Sequence, residues 1–236
     1  MSFNTFTKEN LDTYLKELAK EFRKLNGKSM PAEIVLVGGA AILTNYSFRE
    51  MTTDIDAIIH AASSMKDAIN HVGDKFHLPN GWLNADFVRT GSYSPKLDEF
   101  SVYYKSFYGV LSVRAVAAEY LIAMKLRSGR KYKNDLSDVI GILAEHEKSG
   151  TNISFAKIDT AVTNLYGGWR DFPEDSKPFI ENAFLYGDFG NVYASVKNDE
   201  IESKDILIGF EKDYPKVVKE SNIDDILKML KAKQGK

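Results

Sequence analysis

The sequence of 236 residues contains no cysteine. That absence excludes disulfide scaffolds, thiolate zinc sites, iron–sulfur clusters and cysteine nucleophiles, and it fits a reducing compartment. No apolar run approaches the roughly 20 residues that a membrane-spanning helix requires. The first 30 residues mix acids and bases throughout, unlike a secretion signal. The expectation is a cytoplasmic protein without membrane contact. Net charge is nearly absent too: 31 Lys and Arg against 33 Asp and Glu leave −2, which argues against broad, sequence-blind coating of nucleic acid. Six prolines and 16 glycines are too few for a collagen-like or low-complexity chain. What is present, 44% hydrophobic residues, is enough for a sizeable core in one large domain or two small ones.

Charge divides the chain into two blocks. Residues 1–148 carry 19 bases and 18 acids, and residues 149–236 carry 12 and 15. The change coincides with the loop-like run Glu147-Lys148-Ser149-Gly150-Thr151-Asn152, so the reading is a first domain over 1–148 and a helical domain over 149–236. Leu11, Tyr14, Leu15, Leu18, Phe22 and Leu25 recur at helical spacing, ended by Asn26-Gly27. Strands are expected at Ile34–Val37, Asp54–Ile59, Phe100–Tyr104 and Val110–Val113, with helices from Ala40, at 64–72 and at 115–127. Leu136, Val139, Ile140 and Leu143 form the stripe of a further helix, with Asp135 at its border and Asp138 nearly opposite. Beyond 150 the expected helices are 153–165, 177–185, 192–198, 203–210 and 223–230.

The informative stretch is Val37-Gly38-Gly39-Ala40-Ala41, followed after a gap by Asp54-Ile55-Asp56. A Gly-Gly turn between strand and helix uncovers backbone N–H groups at a helix N-terminus, where phosphate binds readily. On a strand, residues i and i+2 share a face, so Asp54 and Asp56 present two carboxylates together. Such a pair repels itself unless a cation joins it, and oxygen ligands suit Mg²⁺. Either half alone has a plain reading, as a tight turn or a solvated strand end. Together they describe a nucleotidyl-transfer site.

The run VGGAAILTNYSFREMTTDIDAII resembles the nucleotidyltransferase-fold signature in its AbiEii-like and MenT-like bacterial toxin branch. Downstream, Glu119-Tyr120-Leu121-Ile122-Ala123-Met124-Lys125-Leu126, then Gly129-Arg130, then Asn134-Asp135-Leu136-Ser137-Asp138-Val139, is similar to that branch's lysine-bearing helix and Asp-x-x-Asp helix. The resemblance spans roughly 33–143 and implies an α+β fold: a mixed sheet flanked by helices, followed by a C-terminal helical domain. It implies that Gly38 and Gly39 hold an NTP's triphosphate, with Thr53 adding a hydroxyl, and that Asp54 and Asp56 ligate Mg²⁺ (Mn²⁺ as a substitute). Lys125 would neutralise phosphate charge, helped by Arg130, while Asp135 or Asp138 would orient Lys125 or assist proton removal from the acceptor. The implied reaction moves an NMP from an NTP to an acceptor such as tRNA, releasing pyrophosphate. The implied partner is a cognate antitoxin protein.

Two departures stand out. Gly39-Ala40 replaces the Gly-Ser common at this turn, and Ser112 stands where many relatives place a third carboxylate on a later strand. They keep a second reading open: a non-catalytic nucleotide- or RNA-binding module, or an antitoxin-like partner, that retains the fold. Kinase-like phosphotransfer at the same site is a third. Each feature of the second half also has a plain reading. Lys125 would snorkel to the surface, Asp135 would serve the helix dipole, and the basic run Lys125, Arg127, Arg130, Lys131, Lys133 would be a solvated loop instead of an RNA contact. His60, His71, His77 and His146 show no metal-ligand spacing, and Trp82 reads as a packing anchor.

Overall fold

A computed structural model describes residues 5–219 and 221–233. Its elements are α1 (Lys8–Asn26), β1 (Ala32–Leu36), α2 (Gly38–Asn45), β2 (Ile55–His60), α3 (Met65–Phe76), β3 (Leu83–Asn84), β4 (Ser101–Phe107), β5 (Leu111–Val116), α4 (Ala118–Ser128), α5 (Asp135–Lys148), α6 (Phe155–Tyr166), α7 (Ser176–Tyr186), α8 (Phe189–Asp213) and α9 (Ile223–Lys233). They form two compact units. The first runs to Met124 and takes in Ala156–Arg170; the second is Lys125–Phe155 with the residues from Asp171 onward. The units therefore do not follow the charge boundary at 148/149: the junction 149–152 lies inside the second. Helix α4 begins in one unit and ends in the other.

The first unit is built on a five-stranded mixed sheet in the order β3-β2-β1-β5-β4. Strand β1 pairs antiparallel with β2 and parallel with β5, which pairs antiparallel with β4. The short β3, absent from the sequence expectation, pairs with β2 only at Ile55↔Leu83 and Asp56↔Asn84. Two residues carry too little pattern to be read as a strand. Ile34, Val35 and Leu36 are all fully buried, which explains why the central strand is a continuous apolar run.

Helix α1 starts at a reciprocal cap: Thr7 Oγ1 accepts from the Asn10 N–H, and Asn10 Oδ1 accepts from the Thr7 N–H. Its stripe, Leu11, Leu15, Leu18 and Phe22, is fully buried. Trp82 is the packing anchor that its sequence setting suggested. Its indole stacks at 6.3 Å on Phe6 and donates to the Ile69 carbonyl at 3.0 Å. Phe6 in turn exchanges both backbone hydrogen bonds with Thr52, at 2.8 and 2.9 Å. That bridge pins the segment leading into β2.

The second unit is helical. Helix α5 packs on α8, which also contacts α7 and α9. The expected pair of helices at 192–198 and 203–210 is one continuous helix, α8. The polar run Asn198-Asp199-Glu200 interrupts its apolar periodicity, yet it contains no Gly or Pro to stop a helix. The interruption is where α8 buries Glu200 and Ser203. A second correction concerns α5: Asp135, Ser137 and Asp138 are buried along with Val139 to Ala144, so the helix has no solvated side over these turns. Among the described residues, no helix is long and apolar enough to cross a membrane.

Candidate active site

In the first unit, β1 gives way to α2 through Val37 alone. Gly38 sits at φ +53°, in the left-handed region that a side chain disfavours. Val37, the residue before it, is extended and offers no side-chain cap to α2. The first N–H groups of that helix are therefore not satisfied by a capping side chain, the arrangement that suits an anion. The Val37 N–H donates to the Asp56 carbonyl at 3.0 Å, which ties the turn directly to β2.

Gly39 has a steric requirement of its own. A Cβ there would lie 2.7 Å from Thr52 Oγ1 and 3.0 Å from Arg49 Nη2. Thr52 is buried and fixed by its bridge to Phe6, and its hydroxyl approaches Asp54 Oδ1 at 3.5 Å. The hydroxyl beside the glycine turn is thus that of Thr52; Thr53, the residue singled out from the sequence, is exposed. Asp54 is exposed just before β2, and Asp56 is half-buried within it. Short contacts link these segments: Gly39 to Thr52, Thr52 to Asp54, and the Val37 N–H to the Asp56 carbonyl.

Arg49 escaped the sequence reading. Its Nε donates to the Met51 carbonyl at 3.2 Å, and its guanidinium lies against Gly39. A signal existed: Arg49 is the only base between Lys28 and Lys66. It brings a planar, fork-shaped cation to the mouth of the turn.

Strand register corrects the position of Ser112. It pairs with Glu33, and Glu33 pairs with His60 at the end of β2 away from Asp56. Four residues of strand, about 13 Å, separate the two levels, so Ser112 does not occupy a third-carboxylate position. Among the described residues no group of three or more His, Asp or Glu side chains is placed to hold a metal. Two carboxylates still suit Mg²⁺, which characteristically keeps several waters and takes one or two protein carboxylates plus substrate phosphates.

The remaining sequence-selected residues lie in the second unit. Lys125 Nζ is 2.9 Å from Asp135 Oδ1 and 2.9 Å from Asp138 Oδ2. All three side chains are buried, so Lys125 does not snorkel to water. Arg130 adds a fork to Asp135, with Nε at 2.7 Å from Oδ2 and Nη2 at 3.2 Å from Oδ1. Burial opposes ionisation of Asp135, but Lys125 and Arg130 overcome it and hold the carboxyl well below its ordinary range. Asp135 is also the first residue of α5, where its charge complements the helix dipole.

Two more members of the basic run are matched by acids. Arg127 lies 3.9 Å from Asp171, and Lys131 pairs with Asp175. Glu200, which no sequence signal marked, reaches α5 from α8. Its Oε1 accepts from the N–H groups of Leu136 at 2.9 Å and Ser137 at 3.2 Å, and its Oε2 accepts from Ser137 Oγ. Burial, with the nearby Asp138 charge adding to it, pushes the Glu200 carboxyl up to about 7, although its hydrogen bonds favour ionisation.

Comparison with known proteins returns one kind of match. No curated protein and no solved structure matches the chain. Residues 13–162, more than half of the chain, match the family described as nucleotidyltransferase of unknown function (DUF6036), which spans the sheet, the glycine turn and both aspartates; the chain belongs to that family.

Proposed function

We propose that this nucleotidyltransferase moves an NMP from an NTP to an acceptor hydroxyl and releases pyrophosphate. The observation that supports it most is the tie between the uncapped glycine turn and β2: Gly38, Gly39 and the Asp54/Asp56 pair sit on adjoining segments, joined by the Val37–Asp56 hydrogen bond. The backbone N–H groups at Gly38 and Gly39 would bind the triphosphate. Asp54 and Asp56 would hold Mg²⁺ or Mn²⁺, which when bound neutralises phosphate charge and stabilises the attacking and leaving oxygens. Thr52 orients Asp54, and the nearby Arg49 supplies a cation for phosphate oxygens. Thr53, exposed beside Asp54, keeps its proposed role as a hydroxyl contact.

Lys125 and Arg130 are proposed to contribute positive charge to the reaction. Both carboxylates of the Asp-x-x-Asp motif are turned on Lys125, which favours orientation of Lys125 over proton removal as the role of Asp135 and Asp138. The toxin role, tRNA as acceptor and a cognate antitoxin partner follow from the resemblance to AbiEii-like and MenT-like proteins. The internal pairing of Arg127, Arg130 and Lys131 with acids gives the basic run no added support as an RNA surface.

The acceptor class is tested by incubating the protein with each α-labelled NTP, Mg²⁺ and total cellular RNA, then treating the product with ribonuclease or protease. Label lost to ribonuclease identifies RNA, and label lost to protease identifies protein. No label with any NTP favours the non-catalytic binding module. Label from the γ position alone favours phosphotransfer.

A further inference from the structure

We infer that Glu200 is a positioning residue for Lys125, acting through the first turn of α5. Its functional consequence rests on the transfer reaction proposed above; its geometry does not. The two carboxylates on Lys125 come from Asp135 and Asp138, and the two residues between them, Leu136 and Ser137, are the ones that Glu200 holds. The first N–H groups of a helix have no partner within it. Asn134, at the cap position of α5, makes no side-chain cap bond.

The cap arrives instead from α8. Lys197, one turn before Glu200, donates from Nζ to Asn134 Oδ1 at 2.7 Å, so α8 grips the segment at two successive points. Ser137 adds its hydroxyl to the same carboxylate. Three residues of the segment, Asn134, Leu136 and Ser137, are thereby held by α8, and Asp138 follows directly.

A purely structural cap would be cheaper. A Ser or Asp at the cap position satisfies the same N–H groups at the surface, whereas Glu200 is only 4% exposed and lies near the Asp138 charge. Burying a carboxylate beside another acid is unfavourable in itself. What the arrangement secures is the spacing of Asp135 and Asp138 around one ammonium group. Tilting the first turn of α5 would open one of the two 2.9 Å contacts.

The test is acylation of the full-length protein by acetic anhydride, read by peptide mass spectrometry at Lys125 against the exposed Lys66. In wild type and Glu200→Gln, which keeps an acceptor oxygen, Lys125 reacts at least about tenfold more slowly than Lys66; in Glu200→Ala it comes within about threefold. A folded Glu200→Ala protein that protects Lys125 as wild type does overturns the inference. If Glu200→Ala does not fold, Ser137→Ala decides, with at least about a twofold rise expected and no change contradicting it. Transfer kinetics read the functional half: kcat falls about tenfold or more in Glu200→Ala with KM for the NTP within about twofold, and Glu200→Gln restores it. Unchanged kcat with Lys125 exposed overturns that half. A wild-type protein that transfers nothing refutes the transfer reading alone, because the acylation rates still decide the role of Glu200.

Discussion

The hydroxyl of Thr52 stands 2.7 Å from the point where a side chain on Gly39 would begin. Arg49, the other neighbour, ends a flexible side chain and can yield, but Thr52 is buried and held by two backbone hydrogen bonds to Phe6. Gly39→Ala is therefore expected to cost about 1–3 kcal/mol by overpacking and to weaken NTP binding. Thr52→Ala removes the obstructing oxygen. In a double-mutant cycle the pair should lose less stability than the sum of the single changes. Denaturant midpoints of the four proteins measure this, and strict additivity would contradict the contact.

Asp54 and Asp56 should matter to activity far more than to folding. Asp54 is exposed and Asp56 only half-buried, so Asp54→Asn and Asp56→Asn are expected to shift stability by less than about 1 kcal/mol. Transfer should fall by about 100-fold or more if both hold the metal. Thermal melts with and without Mg²⁺ and NTP provide the comparison: ligand-dependent stabilisation is expected in wild type and absent in Asp56→Asn.

The buried ion cluster of the second unit should matter to folding as well. Asp135 serves both Lys125 and Arg130, whereas Asp138 has Lys125 as its identified ion-pair partner. Removing either acid leaves a buried ammonium undercompensated, which costs about 3–5 kcal/mol in comparable sites. Asp135→Ala should be the more damaging of the two. Equilibrium unfolding in urea ranks them, and equal or inverted losses would contradict the pairing.

Glu200 gives a pH dependence with a definite sign. Its carboxyl is raised from 4.5 to about 7 in the folded protein. Between those values the folded state binds more protons than the unfolded one, so this group's contribution is full below pH 4.5 and is lost as pH rises through 7. The change is on the order of 3 kcal/mol at most. Asp135, shifted the opposite way, loses its contribution only as pH falls below 3.8, outside that window. Urea midpoints at about pH 5 and about pH 7.5 should differ for wild type, and the difference should shrink in Glu200→Gln.

The local structure of the glycine turn was legible because it depends on short-range pattern: a β-branched run followed by a backbone-permissive dipeptide. Most helices were legible for the same reason. The strand expected from Asp54 begins instead at Ile55, so strand alternation does not by itself place Asp54 beside Asp56. What escaped depends on tertiary contact. Asp138 looks solvent-facing on a helical wheel, but the wheel assumes one buried side, and α5 is buried around these turns. Polar residues 198–200 looked like the end of a helix because Glu200 is buried against a polar target, the first turn of α5. Ser112 looked like a match for a catalytic strand position until register placed it opposite Glu33. Arg49 and Thr52 acquire their roles only when a segment pinned by Phe6 is folded back over Gly39.

The central claim is transfer of a nucleoside monophosphate, and its most direct measurement is product stoichiometry. Pyrophosphate release and incorporation of α-label are followed together in one reaction of protein, NTP, Mg²⁺ and total RNA, beside Asp56→Ala. One pyrophosphate is expected for each label incorporated, with both lost in Asp56→Ala. Incorporation without pyrophosphate, or neither product from any NTP, would contradict it.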